Sequence, residues 1–169
     1  MSIELIAVVD QNDQFIENRE RKEVHQLGLR HRAVHILLFN DQQQLFLQKR
    51  SLNKDVNAGL WDTSAAGHVD AGENYDICAQ RETHEELGVE VSASLKFLFK
   101  LPALAETGME FVQVYRCTHN GPFILEAGEI DKGAWFTKEA ISLRVKNNDL
   151  SLTTTFKSIW QKFEAHFDA

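Results

Sequence analysis

Three carboxylates stand close together in the stretch GHVDAGENYDICAQRETHEELGV, residues 67–89. On a helix that starts near Asn74, residues three and four apart share a face. Glu82, Glu85 and Glu86 then form one acidic ridge within about 100° of arc. Ionised carboxylates at that spacing repel one another unless a hard cation sits among them. Mg²⁺ prefers such oxygen ligands together with substrate phosphate. The chemistry indicated is cation-assisted work on a phosphorylated compound. Arg81 is expected to face away from the ridge and reach back to Glu73, bracing the loop against the helix. Gly67 and Gly72 let that loop turn tightly and bring backbone close to the cation. Gly88 ends the helix. The plain alternative is a solvated acidic helix, the usual fate of a charge run. The loop glycines and the braced arginine argue against it.

A ridge of this kind needs elements to hold it. Residues 4–9 are apolar and β-prone, and Gln11-Asn12-Asp13 carries turn chemistry before Phe15 and Ile16, which predicts an N-terminal β-hairpin. Residues 18–25 read as a short helix or turn, followed by Gly28. RAVHILLFN (residues 32–40) and LFLQKR (residues 45–50) read as partner strands. Residues 51–60 are polar and irregular, and residues 61–68 form a short strand into the acidic stretch. Trp61 within it reads as core in preference to a substrate platform. Residues 93–101 and 110–118 read as strands, joined by a loop around Glu106, Thr107 and Gly108. Asn120-Gly121-Pro122 marks a turn, residues 130–136 a further strand, and Thr137 caps a helix through Arg144. Residues 149–167 space Leu152, Phe156, Ile159, Trp160, Phe163 and Phe167 as an amphipathic closing helix. Strands flanking helices imply an α/β chain with a mixed β-sheet sandwiched between helices.

Composition bounds the function. A chain of 169 residues suits one domain with a sizeable core. Its expected parts are an extension over about 1–30, a core over about 31–145 and a closing helix over about 149–167. A net charge of −7 argues against coating a nucleic-acid polymer, but not against a phosphorylated small molecule whose charge a metal offsets. No apolar run is long enough to span a bilayer, and the first residues lack the basic start and cleavage site of a signal peptide. Cys78 and Cys117 read as reduced, partly buried thiols. The expected location is the cytoplasm.

The acidic stretch resembles the Nudix box, G-x5-E-x7-R-E-U-x-E-E-x-G-U, in which U is a bulky aliphatic residue. Gly67, Glu73, Arg81, Glu82, Glu85, Glu86, Gly88 and Val89 match, and Thr83 departs from U. The resemblance implies a Nudix-type α/β/α sandwich and hydrolysis of a phosphoanhydride in a nucleoside diphosphate linked to another group. It implies Mg²⁺ or Mn²⁺ held by Glu82, Glu85 and Glu86 with the Gly67 carbonyl. The general base varies in the family. Glu85 is one candidate, and Glu129, in the loop before residues 130–136, is another. Lys49 and Arg50 end a strand leading towards the site and are candidates for substrate phosphate. For Glu129, Lys49 and Arg50 the competing reading is a plain solvated charge.

HRAVHILLFN, LFLQKRS and GLWDTSAAGH resemble the branch that includes isopentenyl-diphosphate isomerase and its hydrolase-like relatives. Isomerisation is the alternative activity, and a Nudix-shaped module without catalysis is a third. That branch carries a cysteine before Gly-His and a glutamate two residues before the one matching Glu110. Here Ala66 and Gly108 stand in those places, which disfavours isomerase chemistry. The branch also holds a metal with three histidines and two glutamates. His31, His68 and Glu110 match, and His25 lies one residue closer to His31 than in the isomerases. Two readings stay open: a second site for Zn²⁺, Mn²⁺ or Fe²⁺, or histidines that are each separately hydrogen-bonded.

Overall fold

Strand β3 (His31–Phe39) is apolar on both faces, and that decides the architecture. Leu37 and Phe39 join one apolar cluster, while Val34, Ile36 and Leu38 join another. Successive side chains of a strand point to opposite faces, so a strand of this kind must run through the middle with cover on both sides. The computed structural model describes residues 3–168. Around β3 it builds one mixed nine-stranded sheet among these residues. β1 (Leu5–Val9) and β2 (Phe15–Glu20) form the expected hairpin, and β1 reaches β3 at Val8 opposite His31. β4 (Leu45–Arg50) leaves β3 at the turn, where Phe39 pairs with Leu45. β5 (Trp61–Asp62) and β9 (Ile130–Phe136) flank β4, antiparallel to it. β6 (Ala65–His68) pairs antiparallel with β3. β8 (Glu110–Thr118) runs parallel to β3, with β7 (Lys96–Leu101) antiparallel at its far side.

Among the described residues, four α-helices cover this sheet. α1 (Arg21–Leu27) follows the hairpin and stops at Gly28, which is left-handed at φ 63°. α2 (Tyr75–Leu87) packs Cys78, Ala79 and Leu87 against the face that carries Val34, Ile36 and Leu38. α3 (Lys138–Lys146) and α4 (Thr154–His166) cover the other face with Ile141, Val145, Phe156, Ile159, Trp160 and Phe163. Each starts on a threonine cap. The Thr137 hydroxyl accepts from the Ala140 N–H, and the Thr153 hydroxyl from the Phe156 N–H. No described helix is long and apolar enough to cross a membrane.

Element boundaries differ from the sequence expectation at several points. Residues 18–20 extend β2, so the helix there begins only at Arg21. Residues 61–68 are two strands, because the chain crosses from pairing with β4 at Trp61 and Asp62 to pairing with β3 at Ala65. Ser64 bridges the step, accepting from the Leu38 N–H and donating to the Phe46 carbonyl. Strand β7 starts at Lys96, since residues 91–95 close into a turn on the Val91 carbonyl. The closing helix starts at Thr154 rather than near 149. The Asp149 carboxylate accepts from the Ser151 N–H and hydroxyl, which holds a turn, and Leu152 bridges to Trp61 instead of continuing a helix. Leu152 is core all the same.

Trp160 is fully buried in the α4 cluster, whereas Leu143 on α3 is exposed. Trp160→Ala should cost about 3–5 kcal/mol through the cavity it leaves. Leu143→Ala should stay within about 0.5 kcal/mol of the parent. Urea denaturation followed by circular dichroism measures both, and equal losses would contradict the core assignment.

Candidate active site

Helix α2 is fixed at both ends. Asn74 Oδ1 accepts from the Ile77 N–H at 2.9 Å, and Gly88 closes the helix at φ 70°. Between those ends the ridge residues differ in burial. Glu86 is 5% exposed, and its Oε1 accepts from Gln48 Nε2 and from the Ala66 N–H, both at 3.0 Å. Burial pushes its carboxyl up to about 7. Glu82 is pushed up to about 8, first by burial and then by the charge of Glu86. The Glu85 side chain is more than half exposed. Gly67 lies directly under the ridge. A Cβ there would sit 2.1 Å from Glu82 Cδ and Oε1, so a side chain at this position would displace the Glu82 carboxylate from the ridge. Thr83, the residue off the U pattern, is fully buried and donates its hydroxyl to the Ala79 carbonyl at 2.7 Å. That bond satisfies its one polar group inside the core.

Arg81 does more than brace the loop. Its Nε and Nη2 grip both Glu73 oxygens at 2.7 and 2.9 Å, and Nη2 also reaches the His68 carbonyl at 3.2 Å. It does not face away from the ridge, as the helical wheel implied. Nη1 donates to Glu82 at 2.9 Å and to Glu85 at 3.2 Å. The long arginine stem lets the fork turn back along its own helix towards the negative charge.

The ridge opens on a cavity of about 1180 Å³. Arg50 and Glu129 both line it, while Lys49 does not, so the phosphate expectation for Lys49 has no geometric basis. Alternation explains the difference: Gln48 and Arg50 share a face of β4, and Lys49 takes the other. Arg50 donates to the Val56 carbonyl through Nε and Nη2, at 3.2 and 3.0 Å. Glu129 is ion-paired with Lys54, a cavity residue the sequence reading passed over. Lys54 sits in the irregular segment of residues 51–60, where no periodicity marks an inward side chain. Gln48 was also missed. Its signal is the position two before Arg50 on the same strand face.

At the other side of the cavity His25, His31 and His68 converge. One ring nitrogen from each lies within 4.8 Å of the others, and the ring centroids are 5.1–5.4 Å apart. The short spacing between His25 and His31 does not separate them, because α1 turns back over the start of β3. Glu110 Oε2 is 3.6 Å from His68 Nε2 and 4.0 Å from His31 Nε2. His31 Nδ1 is 2.8 Å from the Leu29 carbonyl, which can only accept, so the proton is on Nδ1 and Nε2 carries a lone pair. That Nε2 is buried without a hydrogen-bond partner. Burial, followed by repulsion from His68, pushes His25 down to about 4 and His31 down to about 3. Neutral imidazoles with an orphaned nitrogen and an adjacent carboxylate fit a bound transition metal.

The shifts have a measurable consequence. Glu82 and Glu86 keep their protons to higher pH in the fold than in the unfolded chain, so stability falls as pH rises through their folded range. The two depressed histidines act oppositely: their stabilising effect is lost as pH falls below their ordinary value near 6.5. In chelator-treated protein the melting temperature should therefore drop between about pH 6.5 and 8, and Glu82→Gln should flatten that drop. A profile that is flat in the parent protein would contradict the burial of these charges.

Comparison with known proteins agrees with this geometry. The NUDIX domain family matches residues 29–156. An uncharacterised Nudix hydrolase of Yersinia pestis is 33% identical over 145 residues, covering 84% of this chain and 78% of the relative. An isopentenyl-diphosphate Delta-isomerase of Serratia proteamaculans is 30% identical over 166 residues, covering 96% and 93%. The crystal structure of a Deinococcus radiodurans protein superposes with a TM-score of 0.83 at 27% identity, covering 94% of this chain and 98% of that one. The chain belongs to the Nudix hydrolases, enzymes that act on pyrophosphate bonds.

Proposed function

We propose that this Nudix hydrolase cleaves a phosphoanhydride bond in a nucleoside diphosphate linked to another group, using Mg²⁺ or Mn²⁺. The observation that carries the reading is the crowding of Glu82, Glu85 and Glu86 at the wall of a large cavity that also holds Arg50 and Lys54. The raised carboxyls fit a cation, because a positive charge there would relieve both their burial and their mutual repulsion. Glu82, Glu85 and Glu86 with the Gly67 carbonyl would hold it. Bound there, a divalent cation neutralises phosphate charge and lowers the pKa of a coordinated water.

The chain's own groups do the remaining work. Arg50 and Lys54 offer positive charge to the diphosphate. Glu85 or Glu129 takes the proton of the attacking water. Glu129 is held by Lys54 and is freed as phosphate draws that ammonium away. Glu73 and Arg81 keep the loop and helix in register. His25, His31, His68 and Glu110 would hold a second, transition-metal ion that helps position the diphosphate. Isomerisation is disfavoured, since Ala66 has no proton to exchange and Gly108 no carboxylate. The substrate is a free nucleotide derivative in the cytoplasm, not a nucleic-acid polymer or a membrane component.

Incubation with Mg²⁺ and a panel of nucleotide sugars, dinucleotides, coenzyme A and nucleoside triphosphates identifies the substrate. On that substrate, Glu85→Gln and Glu86→Gln should each lower kcat on the order of 10²-fold or more while the fold survives. Full activity in both variants would end the assignment. Isopentenyl diphosphate in heavy water should take up no deuterium.

A further inference from the structure

Outside the ridge and the histidine cluster, the polar residues that line the cavity include His35 on β3 and Asp62 on β5. They are 5% and 4% exposed. A buried imidazole and a buried carboxylate need partners, and the partners of His35 define its tautomer. Thr63 Oγ1 is 2.8 Å from His35 Nδ1 and 3.2 Å from the Ala65 carbonyl. The hydroxyl has one proton, and a carbonyl can only accept, so that proton goes to Ala65. The hydroxyl oxygen then accepts from His35 Nδ1–H. Asp62 Oδ1, 3.7 Å from the same nitrogen, favours the proton there as well. Nε2 is left as an acceptor, and it makes no hydrogen bond among the described residues.

Asp62 adds a second acceptor. Its Oδ1 takes the Thr63 N–H at 2.7 Å, and its Oδ2 is 3.8 Å from Arg50 Nη1, which leaves lone pairs for a ligand. Ala66, the cross-strand partner of His35, also lines the cavity and contributes only a methyl group. Beside the Arg50 guanidinium, this part of the wall thus presents two acceptors, and a ligand seated against them must bring donors. A hydrocarbon chain would strip water from both acceptors and return nothing. A sugar with neighbouring hydroxyls would satisfy both.

We propose that His35 and Asp62 are specificity residues that accept hydrogen bonds from the hydroxyls of a sugar carried on the far side of the diphosphate. Thr63 is a positioning residue that holds the His35 tautomer. The proposal rests on the phosphoanhydride-hydrolase reading and adds which substituent the site selects.

The test uses ADP-ribose and the pentyl ester of ADP, which share the nucleoside and diphosphate but differ in hydroxyls. Turnover and calorimetric binding are measured with Mg²⁺ for the parent, His35→Leu, His35→Gln and Asp62→Asn, with circular dichroism confirming the fold. The parent should prefer ADP-ribose on the order of 10²-fold or more. His35→Leu should lower kcat/KM for ADP-ribose about tenfold or more, chiefly through KM, and leave the pentyl ester within about threefold. His35→Gln, which restores an acceptor, should recover part of the loss, and Asp62→Asn should weaken ADP-ribose selectively. Equal use of the two compounds by the parent, or equal loss on both in His35→Leu, overturns the proposal while leaving the hydrolase reading intact. If neither compound is hydrolysed, binding decides the proposal alone, and the wider substrate panel decides the hydrolase reading. A His35-dependent preference for ADP-ribose supports it, and equal affinities refute it.

Discussion

The Arg81 guanidinium is shared by four carboxylates, those of Asp70, Glu73, Glu82 and Glu85, at 2.7–3.2 Å. That sharing lets a helix carry three acidic residues on one face without unwinding at its centre. It also joins three separate segments: α2, the loop through Glu73, and the end of β6 through the His68 carbonyl. The same strand end carries Gly67 beneath Glu82 and His68 in the histidine cluster. The position of Arg81 therefore sets the relation between the two polar centres of the cavity. Opposing charge holds the fork in place, and a planar guanidinium does this where an ammonium would supply only one point of contact.

The N-terminal extension helps to build the wall of the cavity. Residues before 29 lie outside the segment matched by the NUDIX family, yet Glu4, Arg21 and His25 line the cavity. Arg21 grips Asp55 through two bonds of 2.8 and 3.0 Å, tying α1 to the irregular segment of residues 51–60. Glu4 stands 3.9 Å from His68 Nδ1, on the side of the ring opposite Glu110. A carboxylate therefore flanks this imidazole on each side, one from the extension and one from β8.

Much of this was legible in the residues. The apolar, β-prone runs in residues 32–40 and 110–118 placed the central strands, and Asn74 and Gly88 bounded the acidic helix. The ridge itself was legible because it depends on one helix, whose geometry is local. What escaped depends on tertiary crossings. Residues 61–68 change sheet partner midway, which no periodicity encodes. Arg81 turns towards the ridge because the charge around it outweighs the angle of its Cα–Cβ bond. Lys54 and Asp55 sit in a segment without pattern, and their partners are distant in sequence. His35 did leave a trace, as a polar residue in an otherwise apolar strand of residues 33–39, but the trace does not say which cavity it faces.

The proposed function requires that the carboxylate ridge organise a water for attack at phosphorus. Hydrolysis of the active substrate in ¹⁸O-labelled water, followed by mass spectrometry of the products, tests it most directly. One labelled oxygen per turnover should appear in a phosphoryl product, and only when a divalent cation is present. Label on the carbon of the departing group, or incorporation that persists in chelator, would contradict the account.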